Sequence, residues 1–297
     1  MIVSASRRTD IPNYYSDWFF NRLKAGYALV KNPMNAVQIR RVELSPEAVD
    51  CFVFWTKNPA PMLPRLGELR DYAFYFQFTL TGYGRDIEPG IPHKREVMLD
   101  VFRQLAGRVG KERVIWRYDP ILITDRYTPE YHVRAFGEIA AALEGCTEKA
   151  VISFVDVYGK NRKALEQLGM RSPEAFQMRQ LASELACAAR QHGMRTAACA
   201  EALDLSSCGV EKNSCIDGEL VERLTGRKPS GGKDRNQRSG CGCMASADIG
   251  AYDTCPSRCR YCYADRSGKA VEANRRRYDP EAETLCGEIK ENIAVSK

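Results

Sequence analysis

Seven short apolar runs, each separated from the next by helix-forming sequence, constrain the fold of this chain most. They are Ile2–Ser6, Cys51–Thr56, Phe74–Leu80, Val114–Tyr118, Ala150–Val157, Arg195–Ala200 and Ala247–Thr254. Several are almost unbroken in β-branched, aromatic or aliphatic residues, as parallel strands covered on both faces are. Strand and helix in alternation predict an α/β protein with a parallel sheet. Seven or so units predict a (β/α) TIM-type barrel, full or partial, forming a single domain over residues 1–297.

The helices between the runs carry start and stop signals. Ser16 is placed to cap a helix through Lys24, with Gly26 after it. Pro92 opens a helix through Leu105 that Gly107 should end. Thr128-Pro129-Glu130 and Ser172-Pro173-Glu174 each read as an N-cap followed by Pro in the first turn, with Gly145 and Gly193 beyond the two helices. Residues 201–246 break the rhythm. They are polar, rich in Gly and cysteine-bearing, which predicts a long insertion wrapped on a site, followed by a last strand and loop at 247–264.

If the sheet is barrel-like, chemistry belongs at the carboxyl ends of its strands, and polar residues gather there repeatedly. Arg7, Arg8 and Asp10 follow the first run, Lys57 and Asn58 the second, and Thr79 and Thr81 end the third. Arg117 lies in the fourth, which leads into Asp119; the fifth ends near Asp156 and Lys160, and the sixth runs into Cys199 and Glu201. Composition narrows the setting. The 297 residues are 44% hydrophobic, ample for a core, yet no apolar run reaches the roughly 18 residues of a membrane span. The first residues lack the long apolar segment of a secretory leader. Cytoplasm is the expected compartment, where twelve cysteines point to metal binding before disulfides. The net charge of +6 permits an acidic partner without requiring one.

The cysteines divide into groups. Cys255, Cys259 and Cys262 form a C-x3-C-x2-C triplet among Pro256, Arg258, Arg260 and Tyr261. A fully ligated [4Fe–4S] cluster takes four thiolates, so a compact triplet leaves one iron free for another ligand. A zinc site is the alternative, although structural zinc sites usually pair two C-x2-C knuckles and this loop has one. Cys199, Cys215, Cys241 and Cys243, with Cys208 as a fifth candidate, form a second group. An auxiliary [4Fe–4S] cluster, a zinc staple and ordinary buried thiols all remain open for it. Cys51, Cys146, Cys187 and Cys286 read as core or helix-face residues. His93, His132 and His192 are isolated and receive no role.

The triplet, with Tyr261 before its last cysteine, resembles the cluster motif of the radical S-adenosylmethionine (radical SAM) enzymes. Thr56-Lys57-Asn58, the Cys262-Tyr263-Ala264 tail and Glu88-Pro89-Gly90-Ile91-Pro92 followed by Arg95 are similar to elements of the spore photoproduct lyase branch. In those relatives the cluster loop comes first in the chain; here it comes last, as in a circular permutation. Over its whole length the chain resembles the DUF1848 family. Ser4–Pro12, Trp55–Pro59, Arg117–Pro120, Cys199–Glu201, Cys215–Asp217, Asn236–Arg238 and Cys241–Cys243 carry that likeness.

The resemblance implies a [4Fe–4S] cluster on Cys255, Cys259 and Cys262, with S-adenosylmethionine (SAM) on the open iron. It further implies reductive cleavage of SAM to a 5'-deoxyadenosyl radical that acts on an unidentified substrate. A reducing partner such as flavodoxin or ferredoxin goes with that chemistry. The Gly-Gly-Glu element that usually holds the SAM amine is replaced here by Ser6–Asp10. Asp10 is then the candidate for the amine and Arg8 or Arg117 for the carboxylate. Lys57, Asn58, Thr79 and Asp119 are further candidate contacts, and Tyr261 a candidate for adenine. Analogy with photoproduct lyase offers nucleic acid as a candidate substrate, with Arg235, Arg238 and Arg275–Arg277 as candidate phosphate contacts. The competing expectation is a non-catalytic iron–sulfur or zinc protein serving electron transfer or structure.

Overall fold

The structure, a computed structural model, describes residues 1–237, 240–287 and 295–296. Eight parallel strands form its main sheet. They are β1 (Ile2–Ala5), β4 (Cys51–Thr56), β5 (Phe74–Thr79), β6 (Val114–Ile121), β7 (Lys149–Phe154), β8 (Arg195–Cys199), β9 (Val210–Asn213) and β10 (Ser246–Asp248). Their spatial order is β10-β1-β4-β5-β6-β7-β8-β9. The last strand therefore lies beside the first, with Ile2 against Ser246 and Ser4 against Asp248. Between the two outermost strands, β9 and β10, there is no pairing among the described residues, so the sheet is open and the barrel is not closed.

Two further strands, β2 (Tyr27–Asn32) and β3 (Asn35–Glu43), form an antiparallel hairpin, which β11 (Val295–Ser296) extends. The sequence reading offers no strand there. The hairpin is charged, and its tip exposes Met34 and Val37, so its alternation is that of a surface ribbon and not of a covered strand.

Period-two alternation gives the main sheet two unlike faces. One carries Phe52, Phe54, Phe74, Phe76, Phe78 and Trp116, which pack against the helices in the larger core. Phe54 and Phe76 stack at 4.9 Å, as do Trp116 and Phe136 at 4.5 Å. Each such ring buried contributes roughly 1.5–3 kcal/mol. The other face carries Ile2, Cys51, Val53, Tyr75, Ile115 and Val151 and packs on the cysteine-bearing segment.

The helices on the first face are α1 (Ile11–Tyr14), α2 (Ser16–Ala25), α3 (Leu99–Val109), α4 (Pro129–Ala142) and α6 (Ala175–Gln191), while α5 (Arg162–Gln167) packs through Leu165 in a smaller cluster with Tyr83, Tyr127 and Tyr261. α7 (Gly218–Thr225) lies on the cysteine side, and α8 (Gly268–Arg275) follows the last loop. Thr128 caps α4 as expected, accepting from Tyr131 N. Three helix limits differ from expectation. Tyr15, not Ser16, stands at the α2 cap position, and Ser16 turns its hydroxyl to the Pro12 carbonyl at 2.6 Å. Gly107 is internal to α3, which runs on to Gly110 at φ 93°. α6 begins at a Glu174–Gln177 capping box, two residues later than the Ser172 cap expected for it. Residues 201–246 are also more than an insertion, because β9 within them pairs with β8 as the eighth strand.

Candidate functional site

The site is built where β10 ends. Residues 249–264 leave that strand and run over the carboxyl end of the sheet. Gly90 N donates to Ser257 O at 3.1 Å and Arg260 N to Ile87 O at 2.9 Å, fastening the loop to the segment after β5. Asn161, beyond β7, donates to Tyr261 O at 3.0 Å, and Tyr263 OH donates to Arg7 O, beyond β1, at 3.1 Å. Tyr14 OH meets Ser257 Oγ at 3.0 Å. Gly90 is required for this approach, since a Cβ there would stand 2.7 Å from Ser257 Cα. Cys255, Cys259 and Cys262 are thus carried at the same end of the sheet as Arg8, Lys57 and Asp119, each half-buried.

Beneath the loop a single carboxylate ties four elements together. Glu88, 1% exposed, accepts from Lys57 Nζ at 2.9 Å and Thr81 Oγ1 at 3.0 Å, and from Lys94 Nζ and Tyr261 OH. Burial alone would push its carboxyl up, but the Lys57 and Lys94 ammoniums, with the bonds from Lys94 and Tyr261, bring it down to about 2. This hub joins the ends of β4 and β5 to the cysteine loop. Burial also pushes up the thiols of the triplet, to about 12 for Cys255 and Cys262 and higher for Cys259, despite Lys57 beside it.

The other candidate contacts take definite places. Asp10 is buried; it caps α1 through Asn13 N at 3.1 Å and accepts from Lys57 N at 2.8 Å, with burial raising its carboxyl to about 6. Asn58 donates to Asn13 Oδ1 at 3.1 Å. Arg8 reaches Gly250 O at 3.4 Å and lies over the Tyr252 ring. Thr79 is half-buried at the end of β5. Tyr261 is buried, with Glu88 on its hydroxyl and Tyr83 beside its ring, so it is a pin under the loop and presents no open ring face to a ligand. Arg117 turns to the cysteine side of the sheet. Its Nη1 donates to Gln77 Oε1 at 3.2 Å and Cys215 Sγ at 2.9 Å, its Nη2 pairs with Asp119, and Ser153 Oγ also donates to Asp119.

Cys199, Cys215, Cys241 and Cys243 come together on that side, in the same buried cluster as Tyr75 and Val53. Cys199 and Cys215 Sγ are 3.1 Å apart. Hydrogen bonds from the Cys199 and Cys243 thiols, helped by Arg117, hold Cys215 well below its ordinary thiol value against burial, and the two donors are correspondingly raised. Cys208 packs instead against the larger core on the helix side and does not join them. Among the described residues, no three His, Cys, Asp or Glu side chains already stand in a metal-ion ligand geometry. Of the basic positions, Arg235 and Arg275–Arg277 are exposed, and Arg238 lies outside the described residues.

Asp265 escaped the sequence reading. Both its carboxylate oxygens are buried without a hydrogen-bond partner among the described residues. Burial and then Asp253 push it up to about 6. The signal in the sequence was an acid three residues past the last cysteine of the triplet. Arg7, named among the polar strand ends but given no role there, is also of interest. Its Nη2 is likewise buried and unpartnered among the described residues, and its guanidinium lies 5.3 Å from the Trp55 ring, whose other neighbour is Arg117 at 5.2 Å.

These features define an α/β protein with an open parallel sheet and a three-cysteine loop braced over a buried ion-pair hub at its carboxyl end. The chain belongs to the family described as domain of unknown function DUF1848, whose family model matches residues 2–264. No curated protein matches it. Among the described residues no helix is long and apolar enough to cross a membrane.

Proposed function

We propose that this protein is a radical SAM-type iron–sulfur enzyme acting in the cytoplasm on a substrate still to be identified, on a sheet that serves as a partial, permuted barrel. The observation that carries the reading is the placement of all three C-x3-C-x2-C cysteines on one loop over the polar strand ends. A [4Fe–4S] cluster held by them, with SAM on its open iron, supplies one-electron cleavage of a C–S bond.

The residues present fit such a group. Three thiols from an eight-residue loop leave one cluster corner open. A SAM amine and carboxylate need an anion and a cation at hand. Asp265, with two buried oxygens that accept no hydrogen bond among the described residues, supports an amine site, and Arg8 beside Gly250 supports a carboxylate site. Lys57 brings positive charge to Cys259 and so favours its thiolate. Glu88 keeps Lys57 charged and fixed, and through Tyr261 holds the loop at its set height. The tight pairing of Asp10 with Lys57 N and the α1 cap leaves it better suited to shaping the strand ends than to gripping a ligand.

Anaerobic reconstitution with iron and sulfide, followed by dithionite and SAM, tests the reading. 5'-Deoxyadenosine should form, and the paramagnetic resonance signal of the reduced protein should change as SAM is titrated. A signal indifferent to SAM, with no product, would assign the loop to electron transfer or to a structural role.

A further inference from the structure

We infer that Cys199, Cys215, Cys241 and Cys243 form a second, four-thiolate [4Fe–4S] centre on the face of the sheet away from the larger helical core, separate from the loop at the strand ends. The four cysteines come from three stretches of chain far apart in sequence: the end of β8, the turn after β9, and the return toward β10. Cys215, Cys241 and Cys243 are 2%, 7% and 3% exposed. Convergence of this kind among unliganded thiols would need only apolar contact. Here polar groups are spent on sulfur instead. Arg117 Nη1 donates to Cys215 Sγ at 2.9 Å, Asn213 Nδ2 donates to it at 3.1 Å, and Ile216 N donates to Cys243 Sγ at 3.4 Å.

Cys51 provides an internal contrast. It belongs to the same buried cluster, and its sulfur meets the Phe52 carbonyl at 3.5 Å. A buried, unliganded cysteine in this protein is surrounded as a small apolar residue is. Donors aimed at sulfur are what a ligating thiolate takes from its surroundings.

Charge leads to the same place. A buried guanidinium needs anionic company. Asp119 pairs one edge of Arg117, and Cys215 takes another. Arg7, whose guanidinium lies 5.3 Å from the Trp55 ring, keeps an unpartnered Nη2 among the described residues. Four thiolates around a cluster retain net negative charge and would answer both.

The backbone is shaped to match. Gly242 lies between two of the cysteines, and a Cβ there would stand 2.4 Å from Ser214 Oγ, so a side chain at this position would have to displace the hydroxyl on the turn bearing Cys215. The spacing favours iron over zinc, because the chain supplies two single cysteines and one C-x-C pair, with none of the C-x2-C knuckles of structural zinc sites.

The test uses the full chain with Cys255, Cys259 and Cys262 all changed to Ala, reconstituted anaerobically with ferrous iron and sulfide in the presence of equal zinc. About four irons and four sulfides per chain should remain, against about eight of each in the unaltered protein. The reduced signal should not respond to SAM. Adding Cys215→Ser should remove that iron. An iron-free triple variant, zinc in place of iron, or a Cys199–Cys215 disulfide found by mass spectrometry would each overturn the inference. Should the triple variant misfold by circular dichroism, Cys215→Ser alone decides. Iron must then fall by about half while a SAM-responsive signal survives, and unchanged iron counts against the centre. An unaltered protein with only about four irons, all kept by the triple variant, would sink the loop's cluster and leave this one standing.

Discussion

The two cysteine groups of this chain occupy opposite kinds of environment. The triplet is half-buried on a loop braced from below by carboxylate, ammonium and phenol groups, and the donor to its sulfurs is backbone, Ala264 N to Cys262 Sγ at 3.3 Å. The quartet is set into an apolar cluster, and its polar neighbours donate directly to sulfur. A half-buried loop whose sulfurs accept no side-chain hydrogen bond among the described residues suits a site that admits a ligand. Sulfurs enclosed by donors suit a site that is filled once and stays closed. The difference teaches that a sheet with two unlike faces can give one chain two metal environments from a single residue type.

The largest expected effect separates the two directly. Cys259→Ala should lower 5'-deoxyadenosine formation at least about 100-fold, while Cys215→Ser should leave it within about 10-fold, if the triplet alone meets SAM. Chromatography of single-turnover mixtures measures both, and equal losses would erase the distinction between open and closed sites.

Glu88→Gln comes next. It leaves Lys57 and Lys94 buried with their shared carboxylate gone, a loss expected to cost about 3–5 kcal/mol of stability. Chemical denaturation should show it. The variant should loosen the loop and its iron without touching iron held by the quartet.

Acid offers a third, comparable effect away from both groups. His132 is fully buried; its Nε2 faces Leu122 O at 3.1 Å and its Nδ1 meets Tyr118 OH at 2.9 Å. Burial, against the pull of the Leu122 carbonyl, lowers its pKa from 6.5 to about 4. The neutral ring is the native form, so its contribution is complete above pH 6.5 and is lost as the pH falls through about 4. The loss amounts to about 3 kcal/mol. Denaturant midpoints between pH 7 and 4 should fall accordingly, and His132→Gln should flatten that slope.

The sheet was legible because buried parallel strands announce themselves as apolar runs: β4 matches its expected span, and six others are present with shifted ends. β9 was not legible, since Val210–Asn213 holds one apolar residue followed by Glu211, Lys212 and Asn213, the polar make-up of an edge strand. The triplet and quartet could be grouped from spacing, because thiols clustered in sequence are rarely only core residues. Arg117 shows where this stops. A strand position says that a side chain points to one face, and only the fold shows that this face holds Cys215 and not the loop. Asp265 was passed over for the same reason, since nothing in a sequence distinguishes a partnered carboxylate from an orphaned one.

The smallest effects test whether the two environments are independent. Tyr261→Phe removes one hydrogen bond to the Glu88 carboxylate, worth about 1.5–3 kcal/mol, and Asn213→Ala removes one to Cys215 Sγ, worth less because sulfur is a weak acceptor. Tyr261 lies between Cys259 and Cys262 in the chain, so its loss should weaken iron retention by the loop under chelator. Asn213→Ala should do the same to the quartet alone. If the sites are separate, chelation rates in the double variant equal those of each single variant at its own site. Arg7 and Arg117 both lie close to the Trp55 ring, at 5.3 and 5.2 Å, and if that cluster couples the sites Arg117→Lys changes both rates at once.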